Sequence, residues 1–217
     1  MRAIDILTFY DEYLKRYGQQ VYLHFKEILA DAKIQHKKDV DEFNAPLLED
    51  EKKIDFEQSW RTVKGASLER LVLSALLVAF SQTPIKIIKG KQKVSEPSIL
   101  QEPLKTIYGL LMIDYKTFGK HLPDIDLIVY TETPPHPIAI LSIKTSLRER
   151  IAQAAYWTSK VHIPYLFITT DSDNVFLDNR KSKQRAVAET DTHGVYLLTE
   201  KQFTETEKVK VISSFNR

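Results

Sequence analysis

Cysteine is absent from the 217 residues, which excludes disulfide frameworks, thiolate metal sites and cysteine nucleophiles. Long apolar runs are missing too. The longest, Leu71 to Phe80, is interrupted by Ser74 and is far too short to span a bilayer. The N-terminal stretch MRAIDILTFYDEYLKRYG is amphipathic and charged rather than an apolar signal segment, so a cytoplasmic protein with no membrane partner is expected. A strong charge imbalance is lacking as well. With a formal net charge of +2, a nucleic-acid binder must concentrate its basic residues on one face.

What is present is the composition of a soluble globular protein, 43% hydrophobic and 28% charged. A chain of 25.1 kDa can bury a core without covalent staples. The pattern divides into an N-terminal helical region with a connector, residues 1–54, and a core over residues 55–217. Ile4, Leu7, Tyr10, Leu14 and Tyr17 fall at helical spacing, with Gly18 as a stop. Val21, Phe25, Ile28, Leu29 and Ala32 line a second amphipathic segment. Residues 34–55 are polar, mixed in charge and contain Pro46, which predicts a connector with little regular structure. Packing or dimerisation explains the two helices more simply than DNA contact does.

From Asp55 to Gln82 the spacing predicts a long helix closed by Thr83-Pro84, apolar nearly all round in its second half. Glu69 shares a face there with Val72, Leu73, Leu76 and Phe80. A carboxylate on such a face is costly unless paired or metal-bound. A salt bridge at the rim and a site role both remain open. PIKIIKGKQK reads as a short strand whose Lys86, Lys89, Lys91 and Lys93 suit either a phosphate-facing edge or plain solvent. Residues 97–114 predict a helix interrupted by Pro103 and Gly109.

The chemistry gathers in PDIDLIVYTETPPHPIAILSIKTSLRER, Pro123 to Arg150. Asp126 to Tyr130 and Ile138 to Ile143 are apolar on both faces, as central strands covered on each side are. PPHP is rigid and poor in donors, so it is assigned to the turn. An antiparallel hairpin then sets Asp124 and Asp126 at one open end beside Ser142 and Lys144 at the other. Alternation places each pair on one face of its own strand. Whether the two faces coincide depends on a register that sequence leaves open. The helix after Arg150 runs to Pro164, YLFITT is a buried strand, residues 195–200 another strand, and DNRKSKQR a basic loop.

Phosphodiester hydrolysis needs a divalent metal, a positioned water and a cation that orients or polarises them. Mg²⁺ takes a few carboxylate and carbonyl oxygens and keeps several waters. Asp124, Asp126 and the Ile143 carbonyl are candidate ligands, and Lys144 the candidate water-orienting group. Taken singly, strand-end aspartates cap turns and strand-end lysines face water; it is their conjunction that points to a site. Ser146-Leu-Arg-Glu149 fits a helix capping box. Arg148 and Arg150 would oppose the helix dipole there unless an anion or an electronegative base edge is present. Arginine pairs with guanine O6 and N7, and glutamate can accept from cytosine N4. Arg148, Glu149 and Arg150 are therefore candidate readers of G·C pairs.

PDIDLIV followed by SIK resembles the PD-(D/E)xK nuclease core, with Ser142 where that pattern usually has an acid. The continuation KTSLRER resembles type II restriction endonucleases cutting CCGG-centred or CCWGG sites, notably the BsaWI-like group. The helix WRTVKGASLERLV looks like the first helix of that core, with Glu69 in the position of its glutamate. The resemblance spans roughly residues 56–170. It implies an α/β fold with a central mixed β-sheet flanked by helices and an N-terminal helical extension. It also implies Mg²⁺ as cofactor and catalytic roles for Asp124, Lys144, Glu69 and Ser142. Double-stranded DNA with a palindromic C·G-containing site is the implied substrate, and a homodimer the implied assembly. A cognate DNA methyltransferase is expected as a functional counterpart, not as a bound partner. Members without the central acid often recover one about a dozen residues after the lysine. Here Ala155, Tyr156 and Trp157 stand in that region, so either Glu69 completes the site or the site is weakened. Two rivals share the hairpin: a structure-selective repair or recombination nuclease, and a non-catalytic DNA-binding module on a degenerate nuclease fold.

Overall fold

A computed structural model describes residues 5–47, 52–90, 100–148, 150–172, 174–176, 182–199 and 204–211. It divides into two compact units, Met1–Val72 and Leu73–Arg217.

The first unit is helical. Helix α1 (Ile6–Tyr17) is capped by Asp5, whose side chain accepts from the Leu7 N–H, and it ends at Gly18, which takes φ +55. A 3-10 segment, Gly18–His24, leads into α2 (Phe25–Asn44). The connector expected over residues 34–55 is thus corrected: its first eleven residues continue α2. The reason is a buried row, Ala32, His36 and Val40, at the i, i+4 spacing of one helix face. The His36 Nε2 lies 2.8 Å from Ser59 Oγ, and its ring neighbours Phe56 and Trp60. A histidine in that row disguises the apolar stripe. Pro46 follows the helix end, and the Asn44 amide is hydrogen-bonded to both the N–H and C=O of Ile54. Helix α3 (Phe56–Ala79) starts where Asp55 Oδ1 accepts the Gln58 N–H at 2.7 Å. It carries residues of both units.

The second unit is built on a six-stranded mixed sheet. In chain order it contains β1 (Ile85–Lys89), α4 (Leu104–Leu111), β2 (Ile113–Asp114), β3 (Lys120–His121), β4 (Leu127–Glu132), β5 (Pro135–Lys144), α5 (Ile151–Lys160), β6 (Tyr165–Thr169), α6 (Lys183–Asp191), β7 (Gly194–Leu197) and β8 (Val209–Val211). The sheet order is β1-β4-β5-β6-β7-β8, while β2 and β3 form a separate small hairpin. Strands β1, β4 and β5 are antiparallel, and β5 to β8 run parallel. Helical crossovers α5 and α6 make the β5–β6 and β6–β7 pairs possible. One core joins α4, α5 and α6 to the sheet through Ile107, Tyr108, Ile128, Ile140, Ala154, Phe167, Ala188 and Val195. Leu127, Leu141 and Ile168, on the opposite face, are buried as well, as the unbroken apolar runs foretold.

Three expectations need correction. Pro135, His136 and Pro137 lie inside β5, and only Thr133 and Pro134 turn the hairpin. Strand β6 pairs β5 from Ile140 onward, so Pro135 and Pro137 precede the doubly paired part and cost no ladder bond on that side. The basic loop is shortened, because α6 takes Lys183, Gln184 and Arg185 under a Ser182 cap; residues 178–181 lie outside the described set. Of the helix expected over 97–114, the described residues show Leu104–Leu111, starting after Pro103 and passing through Gly109; residues 97–99 lie outside the described set. Lys86 and Lys89 are exposed on the edge strand β1, while Lys91 and Lys93 lie outside the described residues. No helix among the described residues is long and apolar enough to cross a membrane.

Gly90 closes β1 where two backbones nearly touch. Its N–H donates to the Asp126 carbonyl at 2.9 Å, and a Cβ there would stand 2.4 Å from the Ile125 carbonyl oxygen. Backbone cannot yield as a flexible side chain can. Gly90→Ala is therefore expected to lower the unfolding free energy by about 1–3 kcal/mol, read as a reduced urea midpoint at unchanged m-value.

Candidate active site

The pairing of β4 with β5 answers the register question. Leu127 stands opposite Leu141 and Ile128 opposite Ile140. Continuing that register past the end of β4 sets Asp126 across from Ser142 and Asp124 across from Lys144, so all four share one face. A bulge between Val129 and Tyr130 shifts the register nearer the turn, but it lies beyond the site and leaves this alignment intact.

Asp126 is the organising acceptor. Its Oδ2 receives the Ile143 N–H at 2.6 Å, the Lys144 ammonium at 2.8 Å and the Ser142 hydroxyl at 3.4 Å. Its side chain is only 4% exposed. A carboxylate so buried requires this compensation. The same Lys144 ammonium lies 3.4 Å from Asp124 Oδ2, and the Asp124 side chain is 20% exposed. One cation thus bridges the two acids, one buried and one reachable. The Ile143 N–H faces the β4 side of its strand, and in an extended residue the carbonyl points to the same side. The Ile143 carbonyl is therefore directed past the end of β4, toward the acids.

Ser142, fully buried, holds the place where an acid was anticipated. Its hydroxyl donates to Asp126 Oδ2. Tyr165 was read from sequence only as the start of a buried strand. Its hydroxyl donates to the backbone carbonyl of Asp124, and its N–H donates to His193 Nδ1 at 3.1 Å. Burial first, then the Asp124 charge, push the Tyr165 hydroxyl well above its usual range, so it stays a donor. Burial, assisted by Lys208, holds the His193 imidazole below its ordinary value and keeps it a neutral acceptor. The available signal was chemical: a tyrosine in a fully buried strand must find a partner for its hydroxyl.

The donors fit a hard cation. Asp124, Asp126 and the Ile143 carbonyl are oxygen ligands of the kind Mg²⁺ takes, one or two carboxylates with the remaining positions held by water. Among the described residues no group of three or more His, Asp or Glu side chains is placed to hold a metal. Glu69 lies half-buried on α3 in the first unit.

The arginine segment also departs from expectation. Helix α5 begins at Ile151 with Arg150 as its N-cap residue and without a side-chain cap. Arg148 and Arg150 precede the helix on a turn, both exposed, while Leu147 between site and turn is fully buried and accepts the Arg150 and Ile151 N–H groups through its carbonyl. Glu149 and its capping-box role lie outside the described residues. Buried Leu147 thus pins the backbone, and the guanidinium groups are presented to solvent at a helix N-terminus.

An antiparallel hairpin feeding parallel strands, helices across one face, and paired acids with a lysine at the hairpin's open end define the PD-(D/E)xK restriction-endonuclease fold. The restriction endonuclease AgeI, solved as a specific complex with DNA, shares it at TM-score 0.51 and 15% identity; the match covers 73% of this chain and 64% of that one, just under two thirds. BsaWI in a pre-specific DNA complex aligns over 97% of this chain and 86% of its own at 14% identity and TM-score 0.45. In sequence, residues 102–217 match the family described as BsaWI restriction endonuclease type 2. A protein of Methanocaldococcus jannaschii, described as a candidate type II restriction enzyme, MjaVIP, is 32% identical over 166 residues, 70% of this chain and 72% of that protein. The chain belongs to the BsaWI family of type II restriction endonucleases.

Tyr165→Phe removes the hydroxyl that donates to the Asp124 carbonyl. It is expected to lower the unfolding free energy by about 0.5–1.5 kcal/mol, the net contribution of one intramolecular hydrogen bond. A denaturation midpoint equal to the parent's would show that the hydroxyl does not hold this backbone.

Proposed function

We propose that this chain makes Mg²⁺-dependent double-strand cuts in duplex DNA at a palindromic C·G-containing site of the CCGG type, acting as a homodimer. The observation that carries the reading is the Lys144 ammonium between Asp124 and Asp126, set beside two exposed arginines on a pinned turn. Family membership supports it independently.

Asp124 is the principal metal ligand in this reading, because its side chain is the more exposed of the two and Asp126 Oδ2 already accepts three donors. Asp126 and the Ile143 carbonyl supply further oxygens. Bound Mg²⁺ would contribute Lewis acidity at the scissile phosphate. Lys144 orients a water for in-line attack at phosphorus and stabilises the charge that develops as the bond to the leaving oxygen breaks. Ser142 supports Asp126 through its hydroxyl and brings no charge of its own. The role of Glu69 as an additional carboxylate rests on sequence resemblance alone. Arg148, Glu149 and Arg150 read C·G pairs in the major groove, and a two-fold assembly matches the palindrome.

Cleavage of a broad panel of duplexes with Mg²⁺ tests the whole reading, and discrete fragments distinguish it from a structure-selective nuclease. Lys144→Ala is expected to reduce the cutting rate by about 100-fold or more, measured in single turnover, with duplex binding retained. Binding without any cutting by the parent would favour a DNA-binding module. Arg148→Ala should lose about 1–3 kcal/mol of discrimination at one G·C pair. If affinity falls equally for all sequences, Arg148 contacts phosphate only.

A further inference from the structure

Between α4 and β4 the chain makes an excursion that the catalytic reading leaves unused. Strands β2 and β3 pair Ile113 with His121 and Asp114 with Lys120. A 3-10 turn, Lys116–Phe118, crosses the tip and is followed by Gly119 at φ +79. Lys116 itself adopts φ +58, a left-handed conformation that a lysine enters at some cost.

The hairpin is stiff for its size. The Asp114 carboxylate accepts the Lys116 N–H at 2.7 Å. The Tyr115 N–H donates to the Gly119 carbonyl, the Phe118 N–H to that of Tyr115 and the Gly119 N–H to that of Lys116. His121 Nε2 lies 2.8 Å from the Phe118 carbonyl oxygen. The Tyr115 and Tyr156 hydroxyls are 2.9 Å apart, tying the hairpin to α5. Yet this bonded loop holds Phe118 82% exposed, the most exposed large apolar side chain among the described residues. A phenylalanine kept in water by a rigid support is unfavourable unless something covers it.

Charge indicates what does. Across residues 113–121 and α5 the charged groups are Lys116, Lys120 and Lys160 against Asp114 alone, and Asp114 is committed to the Lys116 amide. The Lys160 ammonium lies 5.6 Å from the Tyr156 ring centroid, so aromatic and cationic side chains alternate on this surface. Such interleaving suits a polyanion that also presents flat apolar rings. Arg150, one of the proposed base readers, is the N-cap residue of α5, and Tyr156 is about 9 Å along the axis from it, at 1.5 Å per residue.

We propose that the Ile113–His121 hairpin is a second duplex-DNA contact, distinct from the arginine turn. Phe118 packs on exposed sugar and base surface at a step flanking the recognition site, and Lys116 and Lys120 rest on the adjoining phosphates. This rests on the proposed DNA-cutting function and deepens it. The hairpin contributes affinity and register, not base identity.

The test uses the full chain and a mixed-sequence duplex carrying 2-aminopurine, without divalent metal. Phe118→Ala should weaken binding about tenfold, less than the full burial of a phenylalanine side chain is worth, and should abolish the change in 2-aminopurine fluorescence that the parent produces. The Lys116→Ala, Lys120→Ala double variant should reduce the slope of log Kd against log salt by about 2, one for each phosphate deprived of its lysine. Phe118 is exposed, so its truncation leaves the fold intact, which circular dichroism verifies. If the parent binds while both variants match it, the hairpin inference is wrong and the proposed function stands. If the parent binds no duplex, the proposed function itself fails. A change in sedimentation of Phe118→Ala, with DNA affinity unchanged, would make a second copy of the chain the occupant and overturn the proposal.

Discussion

The geometry of the site depends on one carboxylate oxygen. Asp126 Oδ2 takes a backbone N–H, an ammonium and a hydroxyl from three consecutive residues of β5. The lost hydration of a buried carboxylate is recovered only if those three donors remain in place. Strand β4 begins only at Leu127 while β5 runs on to Lys144, so the end of β5 lacks a ladder partner on this side. The Asp126 side chain takes over as the acceptor that a further β4 residue would have provided. Strand termination and site construction are thus one event.

From that anchor the rest follows outward in layers. The Gly90 N–H fixes the Asp126 carbonyl from the β1 side. Tyr165, rising from β6, fixes the Asp124 carbonyl, and His193 fixes the Tyr165 amide in turn. Both acids are therefore held by their backbones as well as their side chains. Lys144 is confined between them, so its ammonium is held at a fixed place relative to both acids. At Ser142 a small hydroxyl donates to Asp126, where a third carboxylate would have added charge without a balancing cation.

The proposed base-reading and catalytic groups are joined by very little chain. Between Lys144 and Arg148 lie three residues, of which Leu147 is fully buried. The Thr145 carbonyl accepts from the Thr170 hydroxyl and from the Ser172 N–H and hydroxyl. A turn anchored to the core at two points transmits position well. Arginines on it are carried at a fixed offset from the acids, which is what the proposed division into base reading and cutting requires.

Sequence by itself determined the mixed α/β class, the apolar hairpin, the grouping of Asp124 and Asp126 against Ser142 and Lys144, and the arginines beside them. Those follow from local periodicity and from which residue types can bind metal, phosphate or base edges. Tertiary structure decided what depends on partners distant in the chain. The register of Leu127 on Leu141 put the four polar residues on one face, because a slip of one residue would have reversed it. The start of β6 opposite Ile140 let Pro135 and Pro137 enter a strand. The pocket for His36 beside Ser59 and Trp60 carried α2 through a stretch whose composition reads as loop. The placement of Tyr165 gave a core aromatic its second task. In each case the residue's chemistry was visible and its neighbour was not, since burial and pairing belong to the folded chain and not to any window of it.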